Sequence, residues 1–145
     1  MAKMIFVNLP VADVAKATAF YAAIGFEKNE TFSNDRGSAM VWSEAIHVML
    51  LAHDFYATFT DKQIIDAKTQ SGALIALSFD DRAGVDAFTG AALAAGGREL
   101  HDPEDLGFMY SRAFEDLDGH GYGPFTMDMA GFQAAQETAA EEPGA

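Results

Sequence analysis

Hydrophobic and polar positions follow one pattern that occurs twice along the chain. A short apolar run at residues 4–10 precedes a helix-type pattern that begins after Asp13, and a second run at residues 74–79 precedes another after Asp81. Asp13 and Asp81 are 68 residues apart, and Phe20 and Phe88 have the same separation. The pattern therefore predicts two copies of a strand-then-helix unit, with a ligand cleft where the copies meet.

The first copy predicts a complete βαβββ unit over residues 1–52. Its opening apolar run contains β-branched residues and indicates a buried strand. Asp13 is a suitable N-cap, and Gly25 stands where a left-handed residue would end the helix. Three further strands are expected at residues 26–32, 39–43 and 46–52. The predicted inner face of the helix consists of Ala17, Phe20, Tyr21 and Ile24.

The second copy predicts the same unit over residues 73–129, after a connector at residues 53–72 that has no sustained pattern. Gly96-Gly97 ends its helix, which begins at Asp81. Residues 102–105 are expected to form an acidic loop. The predicted strands are 74–79, 98–101, 108–115 and 122–129, and the inner face of the helix carries Val85, Phe88, Ala92 and Leu93.

These elements predict an α+β fold in which two βαβββ modules form a curled eight-stranded mixed sheet around a cleft. One domain spans residues 1–129, and residues 130–145 form an acidic, Ala- and Glu-rich C-terminal tail without an assigned role. A chain of 145 residues, half of them hydrophobic, suits one compact domain with its own core.

Composition narrows the classes of partner. The formal net charge of −13 disfavours nucleic acid and anionic membrane surfaces. Cysteine is absent, so disulfides and thiol catalysis are excluded, which fits a cytoplasmic protein. No apolar run approaches the ~20 residues of a membrane-spanning helix. A small-molecule ligand is the expected partner.

Two segments carry a resemblance to a known superfamily. One is residues 9–13 together with Phe20-Tyr21 and residues 24–26, and the other is residues 114–120. Both resemble the vicinal oxygen chelate superfamily, the glyoxalase, bleomycin-resistance and dioxygenase-like group. These motifs specify the fold rather than a reaction. The resemblance also implies a homodimer, since the half-barrels of such proteins are often completed by a partner.

Metal-dependent members of that superfamily place His, Gln or Glu ligands on the first, fourth, fifth and eighth strands. The resemblance puts these positions at Phe6, Met49, Leu74 and Gly123. Three of those side chains lack donor atoms, and methionine sulfur is a poor ligand for hard divalent cations. A register error of one residue would not restore a ligand set. We therefore predict no metal and no other cofactor.

Strand alternation and the resemblance define the candidate cleft. It is mostly apolar and rich in methionine, which suits an irregular hydrophobic ligand, although the same side chains could simply fill a collapsed cavity. Asn8 and Ser78 could bind a ligand, or they could form structural hydrogen bonds with nearby backbone groups. If the seventh strand had the opposite orientation, Arg112 would be the anion-binding residue. The predicted cleft residues are Phe6, Asn8, His47, Met49, Leu74, Ser78, Met109, Ser111, Gly123, Phe125 and Met127.

Four histidines have competing interpretations. His47 could accept a proton near neutral pH, but a half-buried strand histidine with a backbone partner is favoured. His53 follows a strand end and is expected in a loop. His101 lies beside acidic residues and is read as part of a solvated loop. His120 is interpreted as part of a turn.

The leading functional hypothesis is a metal-independent small-molecule binder that resembles the bleomycin-resistance proteins and transforms nothing. Whether the protein is an enzyme stays open. The alternative is a metal-dependent lyase or dioxygenase of the same superfamily with non-standard ligands such as His47. A third possibility is a structural or regulatory protein whose cleft is filled by its own side chains.

Overall fold

The computed structural model describes residues 3–141, with side chains through Thr138, and confirms the predicted α+β fold. Two βαβββ units follow one another along the chain. The strands are β1 Ile5–Val11, β2 Glu27–Asn34, β3 Gly37–Val41, β4 Ile46–Ala52, β5 Leu74–Ser78, β6 Arg98–Asp105, β7 Met109–Glu115 and β8 Gly121–Met127. The helices are α1 Val14–Ala23, α2 His53–Tyr56, α3 Arg82–Ala94 and α4 Met129–Glu141, with a 3₁₀ turn at Ala57–Phe59.

The eight strands are divided between two four-stranded sheets. The first sheet has the order β1-β4-β3-β2, and the second has the order β5-β8-β7-β6. β1 pairs in parallel with β4, and β5 pairs in parallel with β8, while the other pairings are antiparallel. The two sheets thus have the same topology, and β1 and β5 are edge strands. None of the described helices has the length and apolar character needed to cross a membrane.

Both predicted helix caps are present. The Asp13 carboxylate accepts a hydrogen bond from the Lys16 backbone N–H at 3.0 Å, and the Asp81 carboxylate accepts one from Gly84 at 2.8 Å. Gly25, which follows α1, has a φ of +112°, a conformation that glycine adopts at little cost. Local sequence signals therefore set where both helices begin and where α1 ends.

One hydrophobic core joins the two modules. It contains the helix-facing residues of both sheets together with the inner faces of α1 and α3. Trp42 of the β3–β4 turn packs against Phe79 and Phe88 of the second module, with ring centroids 5.8 and 5.2 Å apart. The modules therefore fold against each other through their helix-facing sides, and the opposite faces of the sheets remain outside this core.

Two predictions about local structure need correction. Residues 102–105 are not a loop: β6 extends to Asp105 through register shifts around His101. It tolerates Pro103 because an edge strand can lack an N–H donor. The connector is not wholly irregular, since it opens with α2, which starts at His53. The tail continues as α4, whose Phe132 packs on Phe108, and residues 142–145 lie outside the described residues.

Gly119, in the turn between β7 and β8, fixes how the connector rests on the second module. Its φ is +95°, and a Cβ there would lie 2.6 Å from the backbone of Ala67 and Lys68. We expect Gly119→Ala to lower the free energy of unfolding by about 2–4 kcal/mol, because it adds backbone strain and displaces the connector. Urea denaturation followed by circular dichroism measures this change.

Gly90 provides the matched control. It lies inside α3, and a Cβ there would meet no atom within 4 Å. Gly90→Ala should therefore raise the free energy of unfolding by about 0.5–1 kcal/mol through helix propensity. Equal effects of the two substitutions would contradict the contact between Gly119 and the connector.

Candidate ligand-binding site

The first half of the predicted cleft lies on one face of the first sheet. Leu9, Val48 and Leu50 point into the core, so their alternating neighbours on β1 and β4 point to the opposite, open face. Phe6 pairs with His47, and their rings stack with centroids 4.5 Å apart. Strand alternation and register thus bring Phe6, Asn8, His47 and Met49 together in one patch.

His47 is half-buried, with a local partner. Its Nε2 lies 3.0 Å from the backbone carbonyl oxygen of Glu44, and Phe6 covers its ring. This geometry matches the favoured interpretation of a strand histidine that bonds to backbone. Asn8 differs, because its Nδ2 is 3.5 Å from the carbonyl oxygen of Phe6, at the outer limit of a hydrogen bond, and the residue is exposed.

The second half of the predicted cleft lies on the equivalent face of the second sheet. Ser111 and Ser78 both pair with Phe125, and Met109 pairs with Met127. The intervening residues of β7 and β8, such as Phe114 and Tyr122, point into the core. The remaining predicted members of this patch are Leu74 and Gly123, on β5 and β8.

All eleven predicted cleft residues are at least partly exposed to solvent. Phe6 is 49 % exposed and Leu74 is 76 % exposed, which is high for large apolar side chains. Each patch is therefore an open apolar surface within one chain. The two patches lie on different sheets.

Arg112 belongs to the other face of β7. Its guanidinium donates to Glu99 at 2.7 Å and to Asp86 at 3.1 Å, and only 17 % of its side chain is exposed. Tyr110 donates to the same Asp86 carboxylate at 2.7 Å. These bonds engage Arg112 on the outer surface beside α3, so the alternative in which it binds an anion in the cleft is not supported.

The four positions inferred for metal ligands are equivalent in the two modules. Asn8, two residues after Phe6, lies directly opposite Met49. In the same way Ala76, two residues after Leu74, lies directly opposite Gly123. The pairing registers therefore agree with the alignment inferred from the sequence. The side chains at these positions do not fit a hard divalent cation. Within the described residues, no group of three His, Asp or Glu side chains could hold a metal ion.

Two neighbouring cavities lie elsewhere, beneath the connector. The larger has a volume of about 620 Å³ and the smaller about 390 Å³. Of the predicted cleft residues, only Asn8 and Leu74 line either of them. The sequence did not predict these cavities, because the connector has no periodic pattern that would indicate where it packs.

A buried polar network joins the modules beside the cavities. Asp116 Oδ2 accepts a hydrogen bond from the Tyr21 hydroxyl at 2.6 Å, and the hydroxyls of Tyr21 and Tyr122 are 2.9 Å apart. Asp116 Oδ1 accepts from the backbone N–H groups of Asp118 and His120 at 2.9 and 3.0 Å. The carboxylate therefore connects α1 of the first module with the β7–β8 turn of the second, and the Tyr21 hydroxyl extends the network to Tyr122 on β8.

The same turn binds the edge of β1. His120 Nε2 lies 2.7 Å from the carbonyl oxygen of Pro10, and Asp118 accepts from the Ala12 N–H at 2.8 Å. His120 is buried and lines both cavities, so its prediction as turn chemistry alone was incomplete. The 106-residue separation of Asp118 and Ala12 explains why local sequence signals could not reveal this contact.

Burial changes the acidity of the network. Removal of the Asp116 carboxyl from water raises its pKa above the usual value, although nearby His120 and its hydrogen-bond donors partly oppose the change. Burial likewise raises the pKa of Tyr21 and of Tyr122. Both tyrosines therefore remain neutral hydrogen-bonding groups at physiological pH.

The comparisons with known proteins agree on the fold. A family model described as bleomycin resistance protein-like N-terminal matches residues 3–41, which cover β1, α1, β2 and β3. No curated protein sequence matches the chain significantly. The family match covers the segment that carried the first part of the sequence resemblance.

Solved structures extend the likeness to most of the chain. A hypothetical protein from S. aureus is 23% identical, with a TM-score of 0.73, and the match covers 87% of this chain and 94% of that one. A glyoxalase/bleomycin resistance protein/dioxygenase family enzyme from Burkholderia phytofirmans is 20% identical, with a TM-score of 0.71 and coverage of 87% and 99%. A fosfomycin resistance protein from Mesorhizobium loti is 16% identical, with a TM-score of 0.66 and coverage of 92% and 98%.

These likenesses establish the architecture. The chain has the glyoxalase/bleomycin-resistance fold, as its sequence predicted. Identities this low define a fold rather than a reaction, because one fold supports many activities.

Proposed function

We propose that this protein is a metal-independent binder of small molecules. The observation that carries the proposal is the set of side chains at the four equivalent positions on the open faces. Phe6, Met49, Leu74 and Gly123 offer apolar surface where a metal-dependent relative would need donor atoms. A cleft of this composition favours an apolar or aromatic ligand over one that binds through a metal ion.

A second copy of the chain would complete the cleft. Each open face exposes large apolar side chains, and contiguous exposed apolar surface marks an interaction site. A homodimer would place the first-sheet patch of one subunit against the second-sheet patch of its partner. Both patches would then line one enclosed site. Sedimentation equilibrium at micromolar concentration tests whether the dimer forms, through the molecular mass.

Cationic aromatic compounds are the first ligands to test. The net charge of −13 creates a field that attracts cations, and the apolar patches can accommodate a ring system. Bleomycin has this character and is the natural first probe, given the names of the relatives. The proposed activity is reversible binding without turnover, and we expect the protein to be cytoplasmic.

Substitution within the cleft tests where the probe binds. Met127→Lys should weaken bleomycin binding by about tenfold or more, since it places in the apolar patch a positive charge that repels the cationic probe and must be desolvated on binding. Leu106→Lys provides the matched control, because Leu106 is an exposed apolar residue outside the predicted cleft. Isothermal titration calorimetry measures both affinities.

Two outcomes would oppose the proposal. Equal loss of affinity in both variants would place the probe outside the cleft. Turnover that requires added metal and disappears in His47→Ala would instead support the metal-dependent enzyme.

A further inference from the structure

We propose that the larger cavity beneath the connector is a second binding site, selective for organic anions that carry an apolar body. The site shares Asn8 and Leu74 with the proposed cleft, but its other lining residues lie at the sheet edges and in the connector rather than on the open faces. It combines two strand edges that lack a neighbouring strand, an apolar wall and local positive charge, within a chain that is otherwise strongly acidic.

The cavity lies where the edges of the two sheets meet. Residues of β1 and the start of β5 line one side of it, and the connector between Thr60 and Ala73 lines the other. Both β1 and β5 end their sheets, so each has an edge without a neighbouring strand. Such an edge presents backbone N–H and C=O groups that can bind a ligand's polar atoms.

The wall of the cavity contains apolar side chains that the fold leaves uncovered. Ile65, Leu74 and Leu100 are large, each more than a third exposed, and all three line this cavity. Gly121 allows two of them to converge: a Cβ there would lie 2.8 Å from Leu74 Cδ2 and 3.9 Å from Leu100 Cδ1. These side chains form a hydrophobic surface that a ligand's apolar body would cover.

The charge at the cavity has the opposite sign to the charge of the chain. Lys62, Lys68 and Arg98 line it, and the acidic group that accompanies them is Glu115, whose carboxylate pairs with Arg98 at 2.9 Å. Neither lysine forms an ion pair with another residue whose side chain the structure describes. Two lysines outside any described ion pair favour an anion at this cavity, even though the Asp66 carboxylate accepts a hydrogen bond from the Lys68 backbone N–H beside it. Salt largely screens the negative charges that lie more than about 10 Å away.

The connector packs at a fixed position against the β7–β8 turn, so the cavity has a defined shape. Its backbone at Ala67 and Lys68 approaches the β7–β8 turn too closely for any side chain at Gly119. The volume of about 620 Å³ falls within the usual range for small-molecule sites. A one- or two-ring aromatic acid or a medium-chain aliphatic acid would fill it, with its acidic group at the lysines.

A matched pair of fluorescent probes tests the charge selectivity. The probes are 8-anilinonaphthalene-1-sulfonate and N-phenyl-1-naphthylamine, which share the same aromatic body but differ in the sulfonate. The double variant Lys62→Gln/Lys68→Gln should raise the Kd of the anionic probe about tenfold, while the Kd of the neutral probe changes less than about twofold. Fluorescence titration of the folded, full-length protein measures both.

Charge-matched and apolar variants serve as controls. Lys3→Gln/Lys28→Gln removes the same charge, but neither residue lines a cavity, and it should leave both Kd values within about twofold. Leu100→Glu should weaken both probes, because it buries a carboxylate against the apolar body. Circular dichroism confirms that each variant is folded.

Three results would overturn the proposal. The first is failure of the anionic probe to bind with a Kd below about 1 mM. The second is an equal rise in the Kd of the anionic probe in the Lys62→Gln/Lys68→Gln and Lys3→Gln/Lys28→Gln variants. The third is an equal rise in the Kd of both probes in Lys62→Gln/Lys68→Gln. Amide chemical shifts locate the site: changes at residues 62–73 and 119–121 support it. Changes confined to Met49, Phe125 and Met127 would instead assign the probe to the open faces and leave the proposed function unaffected.

Discussion

Replacement of Asp116 by alanine is expected to lower the free energy of unfolding by about 3–5 kcal/mol. The Asp116 side chain is only 4 % exposed and accepts hydrogen bonds from the Tyr21 hydroxyl and from two backbone N–H groups. Alanine would leave those N–H groups buried without a partner. Because the network joins both modules, its loss should destabilise the whole domain. Urea denaturation monitored by tryptophan fluorescence measures the change.

Asp116→Asn is the matched control. Its amide oxygen can still accept from the backbone N–H groups of Asp118 and His120, and its amide nitrogen can donate to the Tyr21 hydroxyl, so we expect a loss below about 1.5 kcal/mol. Similar losses in the alanine and asparagine variants would show that the hydrogen bonds contribute little.

The difference in stability between the native protein and Asp116→Asn is expected to depend on pH. Burial raises the pKa of Asp116 in the folded state, so the folded protein binds the proton more tightly than the unfolded chain. The contribution of this group to stability is therefore largest at low pH and is lost as pH rises through the folded pKa. The stability of the native protein relative to Asp116→Asn should fall as pH rises, and the opposite slope would contradict the account.

If the protein forms the proposed homodimer, in which the two open faces meet, installation of four ligands on those faces is expected to create a metal site. The combined variant is Phe6→His, Met49→Glu, Leu74→His and Gly123→Glu, at the positions equivalent in the two modules. Imidazole nitrogen and carboxylate oxygen are suitable donors for Zn²⁺ and Mn²⁺. At a metal concentration of 100 times Kd, binding should add about 2.7 kcal/mol of stability. Thermal unfolding with and without ZnCl₂ measures it.

The backbone can accept the most drastic of these changes. A Cβ at Gly123 would meet only the carbonyl oxygen of Arg112, at 3.9 Å, and Gly123 does not require a positive φ. The two half-sets, Phe6→His/Met49→Glu and Leu74→His/Gly123→Glu, serve as controls and should bind zinc far more weakly. Equal response of a half-set and the full set would contradict the equivalence of the four positions.

The sequence predicted the fold because its signals are local and repeated. Asp13 and Asp81 cap helices, and Phe20 and Phe88 lie at matching positions of their inner faces, which defines two like modules. These helix signals depend only on neighbouring residues, so a single sequence suffices for them. Alternation along β7 places Phe114 and Ser111 on different sides, but the resemblance was needed to assign the side with Ser111 to the cleft.

The sequence could not predict features that arise from distant contacts. The bond between His120 and Pro10 spans 110 residues, and nothing in the local pattern around either residue indicates it. The connector cavity likewise depends on where an aperiodic segment packs. Residues 102–105 were predicted as an acidic loop, but they belong to β6, an edge strand that accepts Pro103.

Thermal unfolding of metal-stripped protein, with divalent metals and small molecules added separately, tests the central claim most directly. A ligand that binds only the folded state raises the Tm by mass action. We predict no shift with Mn²⁺, Ni²⁺ or Zn²⁺ at low micromolar concentration and a clear shift with bleomycin or another cationic aromatic compound. A shift with a metal and none with the small molecules would contradict the assignment of a metal-independent binder.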